Sequence, residues 1–159
     1  MDVSGWRVLA AVVAVLIVVG YAIGSGRWVT TGSDWYLGLE QPAWQPPPAV
    51  FGLAWTYNFA ALVVVGITMA VVAPAGRVWT FLGVLAVSVV VAIGWAYLFY
   101  VPHALVPAAI ALTCCALLTL VPVALAFAER AWCGWLLVPY ALWLMIATSL
   151  SWGYAVLNR

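Results

Sequence analysis

Charged side chains are the scarcest feature of this chain. Only 6% of its 159 residues are Asp, Glu, Lys or Arg, whereas roughly a quarter of the residues in a soluble protein are charged. Hydrophobic residues make up 69%, which leaves too few polar side chains to cover a surface facing water. We therefore expect the lipid bilayer to be the solvent, and the chain to be a multi-pass integral membrane protein.

Several classes of function lose support because their residues are missing. The net charge is +1 and the cations form no basic patch, so nothing indicates a nucleic-acid partner. Cys114, Cys115 and Cys133 show no metal-ligand or disulfide spacing, and we interpret them as small packing residues. No carboxylate pair, nucleophile–base set or phosphate-binding loop is evident. We predict no metal site, no obligatory cofactor and no conventional catalytic residue.

Long apolar runs dominate what remains. In lipid, backbone polar groups must bond within the chain, which leaves helices or a closed barrel. The runs are continuous and lack period-two alternation, which argues against a barrel. A spanning helix needs about 20 apolar residues. We predict one all-α domain with five membrane-spanning helices, at about residues 6–24, 48–72, 78–101, 105–127 and 132–157.

The breaks between these spans lie in polar or proline-containing segments. Residues 25–48 are too polar to span, and they form a loop rich in Pro and Trp between the first two helices. Val78 to Ala128 contains no formal charge but is too long for one helix, so we place a break at Pro102-His103. A four-span alternative needs one helix across that stretch or a buried loop. The N-terminal run resembles a signal peptide, but it is long enough to span and shows no clear cleavage site, so we expect a retained helix.

Charges and tryptophans mark the ends and depths of the spans. Every formal charge falls outside a span or near its end, and a three-to-two excess of arginines on one side weakly favours an inside N-terminus. Several of the eleven tryptophans fit an interfacial aromatic belt. Trp55, Trp95 and Trp143 lie deeper, where either core packing or a cavity wall explains them.

Three separated motifs then point to one family. Residues 35–47 read WYLGLEQPAWQPP, and Phe51 and Trp55 follow. The third span carries Trp95, Phe99 and Tyr100, and residues 136–148 of the fifth read LLVPYALWLMIAT. Together these motifs resemble the TspO/MBR family of translocator proteins, which are called tryptophan-rich sensory proteins in bacteria.

The resemblance implies a five-helix bundle with a cavity beneath the first loop, often as a homodimer, and here in a bacterial membrane. It implies a receptor or transport-type protein that binds tetrapyrroles such as protoporphyrin IX or haem, or other flat hydrophobic molecules such as sterols. By matching motif, the ligand-binding residues are Trp35, Tyr36, Trp44, Phe51, Trp55, Trp95, Phe99, Tyr140, Trp143 and Ala147.

Other roles stay open at this point. Some family members are reported to degrade porphyrin in light, and Trp55 and Trp143 are then the implicated pair. A regulatory or structural membrane partner is a further alternative, since small residues such as Gly83 allow close helix contacts.

Two weaker sequence features suggest additional ligand contacts, one with a sterol and one with a metalloporphyrin. Leu150, Tyr154 and Arg159 fit a sterol-contact pattern of a weak kind. His103 is either a turn residue or an axial ligand for a metalloporphyrin.

The chain departs from the family pattern at four positions. Gln41 replaces a lysine, Ala92 and Ser151 replace asparagines, and Pro107 stands where an acid is usual. These changes remove polar groups of the family's pocket and leave its aromatic ones. They bear on ligand specificity more than on the fold.

Overall fold

The computed structural model describes residues 3–159, with side chains from Gly5 onward, and this part of the chain is all-helical. The prediction of an all-α, multi-pass membrane protein is confirmed, because five of the helices are long and apolar enough to span a bilayer. The helices are α1 (Val3–Gly26), α2 (Asp34–Leu37), α3 (Pro48–Val72), α4 (Ala75–Tyr100), α5 (Leu105–Glu129) and α6 (Ala131–Leu157).

The boundaries follow proline and differ slightly from the predicted ones. Pro48 occupies the first turn of α3, where its missing N–H costs nothing. Pro74 caps α4, which begins at Ala75 and not near residue 78, so that Arg77 lies in its first turn. Arg130 is the single residue between α5 and α6. Spans therefore extend to their charged residues, because a charge at a helix end lies in the polar interface.

The five long helices form a closed ring in the order α1–α3–α6–α5–α4. The core consists of the inward faces of all five, with residues such as Leu62, Phe81, Leu112 and Leu144 almost fully buried. Long helices that are consecutive in the chain are therefore neighbours in the ring, except α3 and α4. The α1–α4 and α3–α6 contacts join helices that are not consecutive. A ring of five leaves room on its axis, and the cavity described below lies there.

The end of the ring opposite the long loop is tied together by two arginines. The Arg7 guanidinium donates to the carbonyls of Ala70, at 2.8 Å, and of Val71 at the C-terminal end of α3. These carbonyls lack a helical partner, and they carry the negative end of the helix dipole. Arg77 pairs with Glu129 across α4 and α5. Both contacts keep charge out of the apolar span.

Helices α1 and α3 approach closely at one glycine. A Cβ on Gly66 would lie 2.8 Å from the Cβ of Ala14, which is closer than two carbon atoms can pack. Small residues let two membrane helices bring their backbones together and gain van der Waals contact. Gly66 therefore sets the distance between these helices.

We expect Gly66→Ala to be less stable than the matched variant Gly20→Ala. Gly20 lies in α1 with nothing within 4 Å of an added Cβ, so both variants gain about 1 kcal/mol of helix propensity. Only Gly66→Ala also places its new Cβ against Ala14, and this overlap costs about 1–3 kcal/mol. Circular dichroism during thermal unfolding in detergent measures the difference. Equal midpoints would contradict a close α1–α3 contact.

Candidate ligand-binding site

The long loop between α1 and α3 folds back over one end of the ring. Pro42 and Trp44 of this loop pack on the C-terminal half of α6, where Gly153 leaves room for them. A Cβ on Gly153 would lie 2.6 Å from Pro42 and 3.0 Å from the Trp44 ring. The Trp44 indole N–H also donates to the Ser149 hydroxyl at 3.2 Å. The loop is thus a lid seated on α6.

Hydrogen bonds hold this lid. The Tyr154 hydroxyl, on α6, donates to the Gln45 amide oxygen and lies 3.1 Å from the Tyr36 hydroxyl. The Gln45 side chain donates in turn to Gln41 at 3.2 Å. Further along, the Glu40 backbone N–H donates to the Asn158 side chain at 2.8 Å. Tyr154 therefore connects two points of the lid, Tyr36 and Gln45, to α6.

A second anchor of the lid is an aromatic stack. The His103 ring, in the turn between α4 and α5, lies 3.8 Å from the Trp35 ring with 9° between their planes. His103 has a φ of 56°, a left-handed conformation that histidine adopts more readily than most residues. The imidazole lies outside the cavity lining, and no group of three metal ligands occurs among the described residues. His103 therefore packs as a turn residue.

A cavity of about 790 Å³ lies beneath the lid, within the ~300–1,000 Å³ typical of small-molecule sites. Trp55 of α3, Trp95 of α4 and Trp143 of α6 form its aromatic walls. Its remaining lining comes from every long helix and from the lid: Tyr21, Ala22, Ser25, Gly26, Val29, Thr31, Tyr36, Leu37, Gln41, Gln45, Pro46, Pro47, Pro48, Phe51, Phe59, Ala92, Tyr100, Leu112, Leu144 and Ala147.

The aromatic walls are held in place by edge-to-face contacts. Phe51 meets Trp143 at 5.2 Å between ring centroids, and Tyr21 meets Trp55 at 5.4 Å, both close to perpendicular. Such pairs are favourable because a ring edge is positive and a ring face negative. The walls therefore present flat, rigid surfaces that need little reordering to receive a flat molecule.

The polar groups of the cavity are neutral. Trp95 donates its indole N–H to Ser151 at 3.2 Å, and Gln41 and Gln45 lie at the lid. Among residues 5–159, no charged side chain lines the cavity. The Tyr21 hydroxyl is buried and finds no hydrogen-bond partner within the same residues. The cavity thus offers broad apolar surface with a few hydroxyl and amide groups.

The sequence-predicted residues divide into two groups. Six of the ten predicted binding residues line the cavity: Tyr36, Phe51, Trp55, Trp95, Trp143 and Ala147. The other four lie elsewhere. Trp35 stacks on His103, Trp44 is 57% exposed on the lid, and Phe99 and Tyr140 are buried in the bundle.

The sterol-contact pattern has no common outward face in this structure. Leu150 and Tyr154 are buried, and only Arg159 is exposed. Because Tyr154 already bonds the lid, its hydroxyl points inward, away from lipid.

Comparison with known proteins agrees with this architecture. The TspO/MBR family matches residues 10–157, which is nearly the whole chain. The chain belongs to the TspO/MBR family. It is also 28% identical over 139 residues to a protein of Cereibacter sphaeroides named tryptophan-rich sensory protein, covering 84% of this chain and 85% of that one. Both findings support a membrane protein of the sensory or transport type.

Three of the four departures from the TspO/MBR pattern lie at or beside the cavity. Gln41 and Ala92 line it, and Ser151 accepts the indole N–H of Trp95. Pro107, in contrast, is exposed in the first turn of α5. The substituted positions therefore alter the neutral polar groups of the cavity while the tryptophan walls remain.

Several lining residues were missed by sequence reasoning. Tyr21 belongs to the predicted first span, an apolar run without a motif, and Ser25 was predicted to lie in the loop. Helix α1 extends to Gly26, and its place in the ring brings both residues to the cavity. Gln45 stands within the quoted loop motif, but its bond to Tyr154 depends on the lid closing over α6. Tyr100 was part of the third-span motif and was not singled out as a lining residue.

We expect Tyr154→Phe to loosen the lid, because it removes the hydroxyl shared with Gln45 and Tyr36. Hydrogen–deuterium exchange of the backbone amides of residues 33–45 should become about 3–10 times faster, as loss of roughly one hydrogen bond predicts. Tyr97→Phe, at a residue 43% exposed on α4, is the control. Unchanged exchange in Tyr154→Phe would show that the lid is held without this hydroxyl.

Proposed function

We propose that this protein is a membrane receptor or transport-type protein that binds a flat hydrophobic molecule, such as a tetrapyrrole or a sterol, in the cavity under the lid. The observation that carries the proposal is the cavity itself, in which three helices each contribute a tryptophan wall. Burying apolar area against such walls yields about 25 cal/mol per Å². A micromolar complex needs about −8 kcal/mol, after the cost of association is met.

The neutral lining favours one orientation of a tetrapyrrole. A buried carboxylate without a cation or several donors is strongly disfavoured. The macrocycle would therefore lie between the tryptophans, with its propionates at the lid, where Gln41 and Gln45 lie. Protoporphyrin IX and haem are both candidates, and no axial ligand from His103 is required.

Filling the cavity should abolish binding. Ala147→Phe places a ring among the lining residues, and we expect protoporphyrin IX to bind at least about tenfold more weakly, or roughly 1.4 kcal/mol. Tryptophan fluorescence quenching in detergent measures the affinity. Ala124→Phe, at an exposed residue of α5 outside the lining, is the control. Equal affinity of the two variants would place the ligand somewhere else.

A second candidate function is light-dependent breakdown of a bound porphyrin by oxygen. Trp55 and Trp143 both line the cavity, so each indole would face a bound ring. Trp55 also contacts Tyr21 and Phe59 at centroid distances of 5.4 and 5.3 Å. An indole in such a position is oxidised more readily than the aliphatic lining, which supports a role in that chemistry.

We expect Trp55→Phe to slow the loss of porphyrin absorbance under illumination in air by about tenfold, if breakdown passes through this indole. The rate is measured at saturating protoporphyrin IX, so that any change in affinity does not enter. Trp132→Phe, at a residue 49% exposed, serves as the control. Equal rates and equal products in the two variants would show that the porphyrin bleaches without a role for the Trp55 indole.

The homodimer and the regulatory partner stay proposals. Gly83, on the outer face of α4, is exposed and has nothing within 4 Å of an added Cβ. An open glycine of this kind permits close approach of a helix from a second molecule. Ala92, a small residue of the same helix, instead faces the cavity, so it is not part of this outer surface.

A further inference from the structure

A second, smaller cavity opens on the outer surface of the bundle, between α3 and α6. Its volume is about 320 Å³. Tyr57, Leu142 and Ile146 form an exposed rim, and Asn58 and Trp143 are the buried lining residues. Because the outer surface of a spanning bundle faces lipid, this cleft is reached from the bilayer and not through the lid.

The cleft lies near the middle of the membrane. Asn58 is ten residues from the start of α3, or about 15 Å at 1.5 Å per residue, and the hydrocarbon core is about 30 Å thick. Trp143 lies twelve residues from the start of α6 and fourteen from its end. Water and the ester groups of phospholipids are at the interface, far from this depth.

Both buried lining residues carry a donor without a partner. Among residues 5–159, the Asn58 amide nitrogen and the Trp143 indole nitrogen are buried and find no acceptor. Asn58 is 1% exposed and Trp143 6%. Unpaired donors are costly in a membrane interior, where no water replaces the missing bond. An indole nitrogen donates only, so what satisfies it must be an acceptor.

We propose that this cleft binds a lipid-soluble carbonyl compound of the quinone class, whose oxygen accepts from Asn58 and Trp143. A carbonyl oxygen has two lone pairs, which matches two donors. A quinone ring is neutral and flat, which suits a cleft whose other lining residues are Ala54, Pro139 and the apolar rim. Both nitrogens are buried, so binding requires the Asn58 and Trp143 side chains to turn toward the cleft.

This site is distinct from the cavity under the lid. Trp143 is shared, since its indole lines both spaces, but Asn58 and Ile146 line only the cleft. The proposal does not rest on porphyrin binding. Failure of protoporphyrin IX to bind would overturn the proposed function and leave the cleft site in place.

The probe is duroquinone, with durene as its carbonyl-free analogue of the same shape. Binding is measured as the saturable excess in lipid nanodiscs that contain the protein over empty ones. We expect duroquinone to bind about tenfold more tightly than durene, and Asn58→Leu to weaken it about tenfold. Infrared spectra should show a lowered carbonyl stretch in the native protein that Asn58→Leu reduces. Thr119→Val, at a buried hydroxyl away from the cleft, should change neither result.

A variant at the rim of the cleft tests the site independently, in case Asn58→Leu does not fold. Ile146→Trp narrows an exposed rim, and it should abolish duroquinone binding while protoporphyrin IX still binds. Two results would overturn the proposal: unchanged duroquinone affinity in correctly folded Asn58→Leu, or displacement of duroquinone by protoporphyrin IX together with no effect of Ile146→Trp. The second result would place the quinone under the lid.

Discussion

The absence of water from the hydrocarbon core is the constraint on which the rest of the structure depends. Each polar group inside the membrane must find its partner within the chain. Thr68 and Thr113 bond to carbonyls one turn back in their own helices, and Arg7 bonds to free carbonyls at a helix end. Four buried side-chain polar atoms of residues 5–159 have no partner, and three of them, on Tyr21, Asn58 and Trp143, belong to residues that line one of the two cavities. The fourth, the Tyr140 hydroxyl, belongs to neither lining.

The same constraint explains how far the fold follows from sequence. Apolar runs must be helices in lipid, and Pro48 and Pro102 mark their ends, so five spans could be read directly. The boundaries were harder to predict, because Arg77 in the first turn of α4 and Glu129 in the last turn of α5 carry charge and yet belong to the helices. A hydropathy profile counts each charge, but it does not show that Arg77 pairs with Glu129 of the neighbouring helix. That ion pair forms only in the folded ring.

The site was only partly predictable, for a related reason. Motif and depth together identified Trp55, Trp95 and Trp143. The motif of the fifth span also placed Tyr140 among the binding residues, but the structure buries Tyr140 outside the lining. Sequence periodicity gives the direction of a side chain around a helix and says little about where along the axis a cavity ends. The contribution of α1 through Tyr21 needed the ring order, which no local pattern contains.

The ring order has a consequence for assembly. Helices α1 and α3 are one adjacent pair in the chain, and α4, α5 and α6 form a second consecutive group, while the two groups meet at α1–α4 and α3–α6. Each group can associate through short connections soon after insertion, as helices that are already stable in the bilayer do. The cavity has walls from both groups, and it exists only after they join. A molecule held there bridges the seam, so its binding energy adds to the contacts that hold the two halves of the bundle together.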